Sequence, residues 1–261
     1  MRRRGTLIWS WFVMVVGILY FFLPLLATFV FSLKAKLGVL SFLAYQNTLS
    51  DPNFLYYFSA SVKWAILTIV VGILLFVPTA YLIRLRVPKL RNAVEFITLL
   101  PFVIPAIVLV FGLVRTFSHP PLLIVDSPVV LIAGYIVLSM PYLYRAIDTG
   151  LRAIDVRTLT EAAESLGASW VRVLFDVILP NIRVAILSGA FVTFAIVVGE
   201  YILAQYLAKP AFAPYMAYQI QQQAYGPAAM AIISFALTWA AMGIINLIGR
   251  GTGQAQVGGG H

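Results

Sequence analysis

The chain has 261 residues, 62% of them hydrophobic and only 10% charged, with a mean hydropathy of +0.96. A soluble domain is near half apolar and a quarter charged, so an ordinary globular protein is excluded; at roughly 20 apolar residues per membrane crossing the length holds about six spans and no soluble catalytic domain beside them. The formal charge of +9 does not indicate nucleic acid, because the basic residues fall between apolar runs rather than on one solvated face, and with no cysteine and two distant histidines, His119 and His261, disulfides, thiolate metal sites and clustered nucleophiles lack their parts.

The first apolar run, 7–33, follows a basic N-terminus as a signal peptide does, but it is far longer than the 7 to 15 residues usual there and has no clear cleavage site before Lys34. It is expected to remain as the first helix. Further spans are predicted at 61–83, 96–114, 129–147, 184–207 and 228–248. The fourth is the weakest, shortened by Pro141 and carrying Arg145 near its end, yet removing it would reverse the orientation of the last two spans. With six spans and a cytoplasmic N-terminus, the inner segments hold Arg2, Arg3, Arg4, Arg84, Arg86, Lys89, Arg91, Arg145, Arg152, Arg157, Arg172, Arg183 and Arg250, leaving Lys34, Lys36, Lys63, Arg115 and Lys209 outside. That excess of basic residues inside supports both the six spans and two cytoplasmic termini.

Prolines recur within the spans at positions 24, 78, 101, 105 and 141, where each removes a backbone donor and bends a helix. Pro101 and Pro105, four residues apart, are expected on one helix face and are candidates for lining a path.

The connection between the fourth and fifth spans, 147–183, is far longer than the usual 4 to 6 residues and should have structure of its own. Thr158 and Glu161 fit a capping box, which predicts a short helix over 159–166. Gly167 stands where a helix end wants a left-handed residue. Ser169 can cap a second helix over 170–179, with Trp170, Val173, Leu174, Val177 and Ile178 on one apolar face, ended by Pro180. The first helix presents Ala162 and Ala163, small enough for another protein to approach closely, beside Glu161 and Glu164, which suit a partner's basic groups.

These residues carry a resemblance to the permease subunits of binding-protein-dependent ABC importers. Their cytoplasmic signature is Glu-Ala-Ala, three residues, Gly, nine residues, Ile, one residue, Leu-Pro; here Glu161, Ala162, Ala163, Gly167, Leu179 and Pro180 match at that spacing, with Val177 in place of Ile. The likeness extends through the Leu100-to-Pro105 segment, Ile154-Asp155 and the six-span layout. It implies an all-α membrane protein of the type I importer kind, one permease domain over 1–250 with a coupling segment at 155–180, whose first short helix sits in a groove of a nucleotide-binding subunit.

No lysine follows a glycine, so the Gly-Lys-Ser/Thr end of a phosphate-binding P-loop is missing, and the chain is not expected to be an enzyme. The resemblance instead implies a separate ATPase dimer binding Mg-ATP, a second permease subunit, related or identical, and an extracytoplasmic solute-binding protein, all at the inner membrane and its lipid. The region from Arg145 to Pro180 is most similar to spermidine/putrescine-type members, which makes a polyamine the first expectation for substrate and phosphonate, iron or a sulfate-like ion the alternatives. A secondary transporter or channel would need several intramembrane ionisable groups.

Of the acidic residues only Glu200 lies deep in a predicted span, where a charge is costly and marks a path or an interhelical bond. Gly199-Glu200 also looks like family members that carry sulfate and molybdate. Beyond it, 210–225 gathers Tyr215, Tyr218, Gln219, Gln221, Gln222 and Gln223, a set suited to the membrane surface or to a docked binding protein. The Gly- and Gln-rich tail, 251–261, reads as flexible.

Overall fold

The computed structural model describes residues 2–36 and 38–250, with backbone alone for 2–8, 241, 242 and 244–250; the tail at 251–261 lies outside the described residues. Those residues form a nearly all-helical chain, as the apolar runs require, because backbone groups in hydrocarbon must be satisfied within the segment. The helices are α1 (Arg2–Ser32), α2 (Leu43–Ser50), α3 (Pro52–Leu85), α4 (Arg91–Val103), α5 (Ala106–Phe117), α6 (Pro128–Arg152) and α7 (Val156–Ser165). They continue with α8 (Trp170–Asn181), α9 (Arg183–Gly199), α10 (Ile202–Tyr206), α11 (Phe212–Gln222) and α12 (Gly226–Arg250).

Three helices are long and apolar enough to cross a membrane unbroken, at Trp9–Ser32, Pro52–Leu85 and Pro128–Arg152; two bent pairs, Pro88–Val103 with Ala106–Phe117 and Trp170–Asn181 with Arg183–Gly199, raise the number to five. The sixth predicted span corresponds to α12. The chain is thus a multi-pass membrane protein. The span expected to be weakest is a helix of 25 residues, since Pro141 is buried inside α6 without ending it.

The third predicted span is two helices. They meet at 103°, because Ile104 is extended (ψ 115°) and Pro105 (ψ 142°) starts α5. A residue before proline is pushed out of the helical region, and proline is at ease where a helix begins. Pro101 inside α4 and Pro105 ahead of α5 therefore do not share a helix face, which corrects the expectation for the pair. Phe102 and Val103, just before the corner, are exposed.

The chain divides into two compact units, Met1–Leu55 with Met216–Ala240, and Tyr56–Tyr215 with the C-terminal residues. In the first unit, the side chains of α1 from Trp9 to Val30 are exposed or half-exposed, as lipid-facing apolar residues are, and α2 follows at its end. The second unit holds the bundle and its main core, in which Phe76, Val77, Ala80 and Tyr81 of α3, Leu143, Ile147 and Leu151 of α6, and Ile186 of α9 are buried together. α6 and α9 approach closely through small residues. A Cβ on Gly189 would lie 2.8 Å from Ala146 Cβ and 3.2 Å from Leu143 Cα, and one on Gly150 would lie 2.6 Å from Ala185 Cβ, the small-residue contact by which membrane helices gain van der Waals packing.

Candidate docking segment and substrate path

The 155–181 segment is a pair of helices around a glycine corner, as expected, with a different start and end. α7 begins three residues earlier than predicted, at Val156, because Asp155 is its cap: the Thr158 backbone N–H donates to Oδ1 at 3.1 Å and the Thr158 hydroxyl to Oδ2 at 2.7 Å. These two donors hold the Asp155 carboxyl below the usual carboxylate range. Glu161 closes no capping box; it accepts from Arg157 at 3.1 Å, one turn back, on an exposed face. The Leu166 N–H and Gly167 N–H end the helix on the carbonyls of Ala163 and Glu164, and Gly167 has φ +82°.

Ser169 precedes α8 in an extended conformation without a side-chain capping bond. α8 does not stop at Pro180 but runs to Asn181, with a π-helical stretch at Val173–Ile178. Proline inside a helix removes a donor and presses on the carbonyl four residues back, and a wider π turn just ahead of it relieves that pressure. The Asn181 side-chain amide then donates to the Val177 carbonyl at 2.7 Å, and the chain turns by 78° into α9.

Of the predicted apolar face, Val173, Leu174 and Ile178 are buried with Val156, whereas Trp170 is exposed. Burying a side chain of this size contributes about 1.5–3 kcal/mol, so the segment is fastened to the bundle. A polar pin adds to this: the Thr160 hydroxyl donates to the Val156 carbonyl at 2.7 Å and faces the Tyr81 hydroxyl of α3 at 3.2 Å. The outward side carries exposed Glu161, Ala162 and Gly167, half-buried Ala163, and Leu166, which is 90% exposed. Leu179 is half-buried and Pro180 exposed. Between α3 and α7 lies a cleft of about 500 Å³, lined by Tyr81, Leu85, Arg86, Glu161, Glu164 and Trp170. The arrangement is a platform, packed on the bundle, with an apolar knob and charged rim.

Glu200 is not in mid-helix. α9 ends at Gly199, and Glu200 stands extended (ψ 124°) at the break. Its carboxylate caps α10, accepting from Ile202 N at 2.7 Å, Leu203 N at 3.0 and 2.9 Å, and Ala204 N at 3.4 Å. Both oxygens thus serve the chain itself. Further along, the Trp64 indole N–H of α3 donates to the Pro210 carbonyl and the Phe212 N–H to Ser61 Oγ, so α3 holds the chain between α10 and α11. Within the expected polar and aromatic set, Tyr215 is buried and Tyr218 exposed.

A group invisible in the sequence joins α3, α4 and α6: Arg84 and Arg152 bind Asp148, and Arg91 and Arg152 bind Glu95. Among the described residues, no three His, Asp or Glu side chains gather as a metal site.

The profile of the binding-protein-dependent transport system inner membrane component family matches residues 72–254. The molybdate/tungstate transport system permease protein of Pyrococcus furiosus is 32% identical over 60% of this chain and 61% of its own length, so the chain spans about three fifths of that relative. The spermidine/putrescine transport system permease protein of Haemophilus influenzae is 24% identical over 53% of each. In fold, a chain of a bacterial ABC transporter involved in the import of the acidic polysaccharide alginate superposes with a TM-score of 0.68, at 16% identity, covering 94% of this chain and 96% of that one.

Proposed function

The chain belongs to the family of binding-protein-dependent transport system inner membrane components, and from that premise we propose that it is the permease subunit of an ATP-driven ABC importer. The observation that carries the reading is the platform: a capped helix and a glycine corner, fastened to the bundle by Val173, Leu174 and Ile178, that leave Glu161, Ala162 and Leu166 outward. A separate ATPase binding Mg-ATP docks there, with Leu166 as apolar anchor and the cleft beside Trp170 admitting a partner side chain. One platform engages one half of an ATPase dimer, so a second permease, related or identical, completes the path, and an extracytoplasmic solute-binding protein delivers the substrate. The platform and both termini face the cytoplasm, as the distribution of basic residues favours.

The substrate we propose is a small oxyanion of the molybdate or tungstate class. Likeness to the Pyrococcus permease supports it, and the carboxylate that a polyamine would need, Glu200, has both oxygens occupied by backbone donors. The family likeness to a polyamine permease is more distant.

The test is co-purification with the ATPase and transport-coupled ATP hydrolysis. At Gly167 no atom lies within 4 Å of an added Cβ, so a substitution acts through the left-handed backbone alone, at about 1–2 kcal/mol for an ordinary residue. Gly167→Val is expected to weaken assembly and coupling while Gly167→Asn retains both; unchanged behaviour of Gly167→Val refutes the docking role. Uptake by vesicles of molybdate or tungstate in preference to spermidine is expected, and spermidine-dependent hydrolysis would refute the oxyanion reading.

A further inference from the structure

We infer that Glu95 and Asp148 are positioning residues for transport, forming with Arg84, Arg91 and Arg152 an ionic strut that makes the first half of the broken span move with the docking platform. Arg152 Nη2 lies 2.6 Å from Asp148 Oδ2 and 2.9 Å from Glu95 Oε1; Arg91 Nε is 2.9 Å from the same Glu95 oxygen, and Arg84 Nη2 is 3.1 Å from Asp148 Oδ1. Each carboxylate is therefore shared by two guanidinium groups, and three helices are tied at one point. A lone exposed pair holds little. Here the Arg152–Glu95 link is 48% and 42% exposed, but it belongs to a network of four contacts anchored on Asp148, which is only 15% exposed, and networked charges hold more than isolated pairs.

Two further features give the cluster a mechanical role. It borders a cavity of about 270 Å³ lined by Thr98, Tyr144 and Arg145 together with the two acids and Arg152, and at this end of α4 the charge contacts supplement the packing of Val94 on the core, with the Phe102–Tyr142 ring contact at the other end. Arg91 lies one turn ahead of Glu95 on α4, placed to meet it on the same face.

The connection to the platform is short. Arg152 is the last residue of α6, the Ala153 N–H donates back to Thr149 and Gly150, and Asp155 already caps α7. A displacement of α7 thus reaches the last turn of α6, passes from Arg152 to Glu95, and carries α4 with it. At the far end of α4 stand exposed Phe102 and Val103 and the 103° corner at Pro105. The strut joins the place where a partner pushes to the place where the span is broken.

This inference rests on the docking reading, and its test separates the two. The full chain is assembled with its ATPase in lipid vesicles, and stimulation of ATP hydrolysis by the loaded binding protein is measured beside co-purification. Glu95→Gln is expected to assemble normally while stimulation falls by about three-fold or more. The chain has no cysteine, so a Glu95→Cys, Arg152→Cys double variant can be closed by a short bis-methanethiosulfonate cross-linker, which forms two reducible disulfides with loss of two methanesulfinates; stimulation is expected to be lost when open and restored when closed. Unchanged stimulation in Glu95→Gln, loss of its assembly, or no recovery on closing the double variant overturns the strut. Failure of the unsubstituted chain to assemble with an ATPase overturns the docking reading instead.

Discussion

Asp155 decides where α7 begins. Its carboxylate accepts from both the backbone and the hydroxyl of Thr158, and those bonds lower its pKa. Because the folded value is depressed, the stabilisation is complete above the ordinary value of about 3.9 and is lost only as pH falls through the lower folded value. The first turn of α7 is therefore expected to keep constant protection against hydrogen exchange across neutral and mildly acidic pH, once intrinsic rates are corrected. Asp155→Ala should speed exchange of the amides at 157–159, and Asp155→Asn, which keeps an accepting oxygen, should largely retain them; equal exchange in all three proteins would refute the cap. Local pattern reads Thr158 with Glu161 as the cap; the structure gives that place to Asp155, because Glu161 is engaged by the equally local Arg157.

The same limit operates on whole elements. The glycine corner, the two short helices and their buried face were legible, since Gly167 and the apolar spacing act locally. The π turn before Pro180 and the extension to Asn181 were not, because they depend on how the chain bends into α9. Pro105 breaks a span that hydropathy shows as continuous, and Glu200 appears as a mid-membrane charge until the chain is seen to end a helix there and begin another. Packing between α6 and α9 is likewise unreadable from one strand of sequence, although it sets a sharp expectation. Gly189→Leu must drive a side chain into Leu143 and Ala146, and overpacking of this kind costs about 1–3 kcal/mol. Gly17, with nothing within 4 Å, supplies the control. Gly189→Leu should lower the melting temperature of the detergent-solubilised protein while Gly17→Leu leaves it near that of the parent; equal melting of the two would show that the close approach does not bear on stability.

For the whole molecule, the least legible feature is the ionic cluster, whose partners are 57 and 64 residues apart in the chain. Composition and charge nevertheless predict a topology, and α6 offers a direct test of it. Its 25 residues rise about 37 Å at 1.5 Å each, more than the roughly 30 Å hydrocarbon core. Arg145, Asp148 and Arg152 lie near its end, next to the 155–181 segment proposed for docking, while the connection preceding it carries the exposed Leu123. A helix of this length cannot return both flanks to one surface without leaving apolar residues in water. With no native cysteine to interfere, single Leu123→Cys and Leu166→Cys variants report each flank separately, as both side chains are well exposed at 69% and 90%. A membrane-impermeant thiol reagent is expected to label Leu123→Cys from the outside of intact cells and Leu166→Cys only in inverted vesicles, without bound ATPase. Labelling of both from one side would overturn the span assigned to α6, and labelling of each from the opposite side would place the docking platform outside, where no ATP is available to drive it.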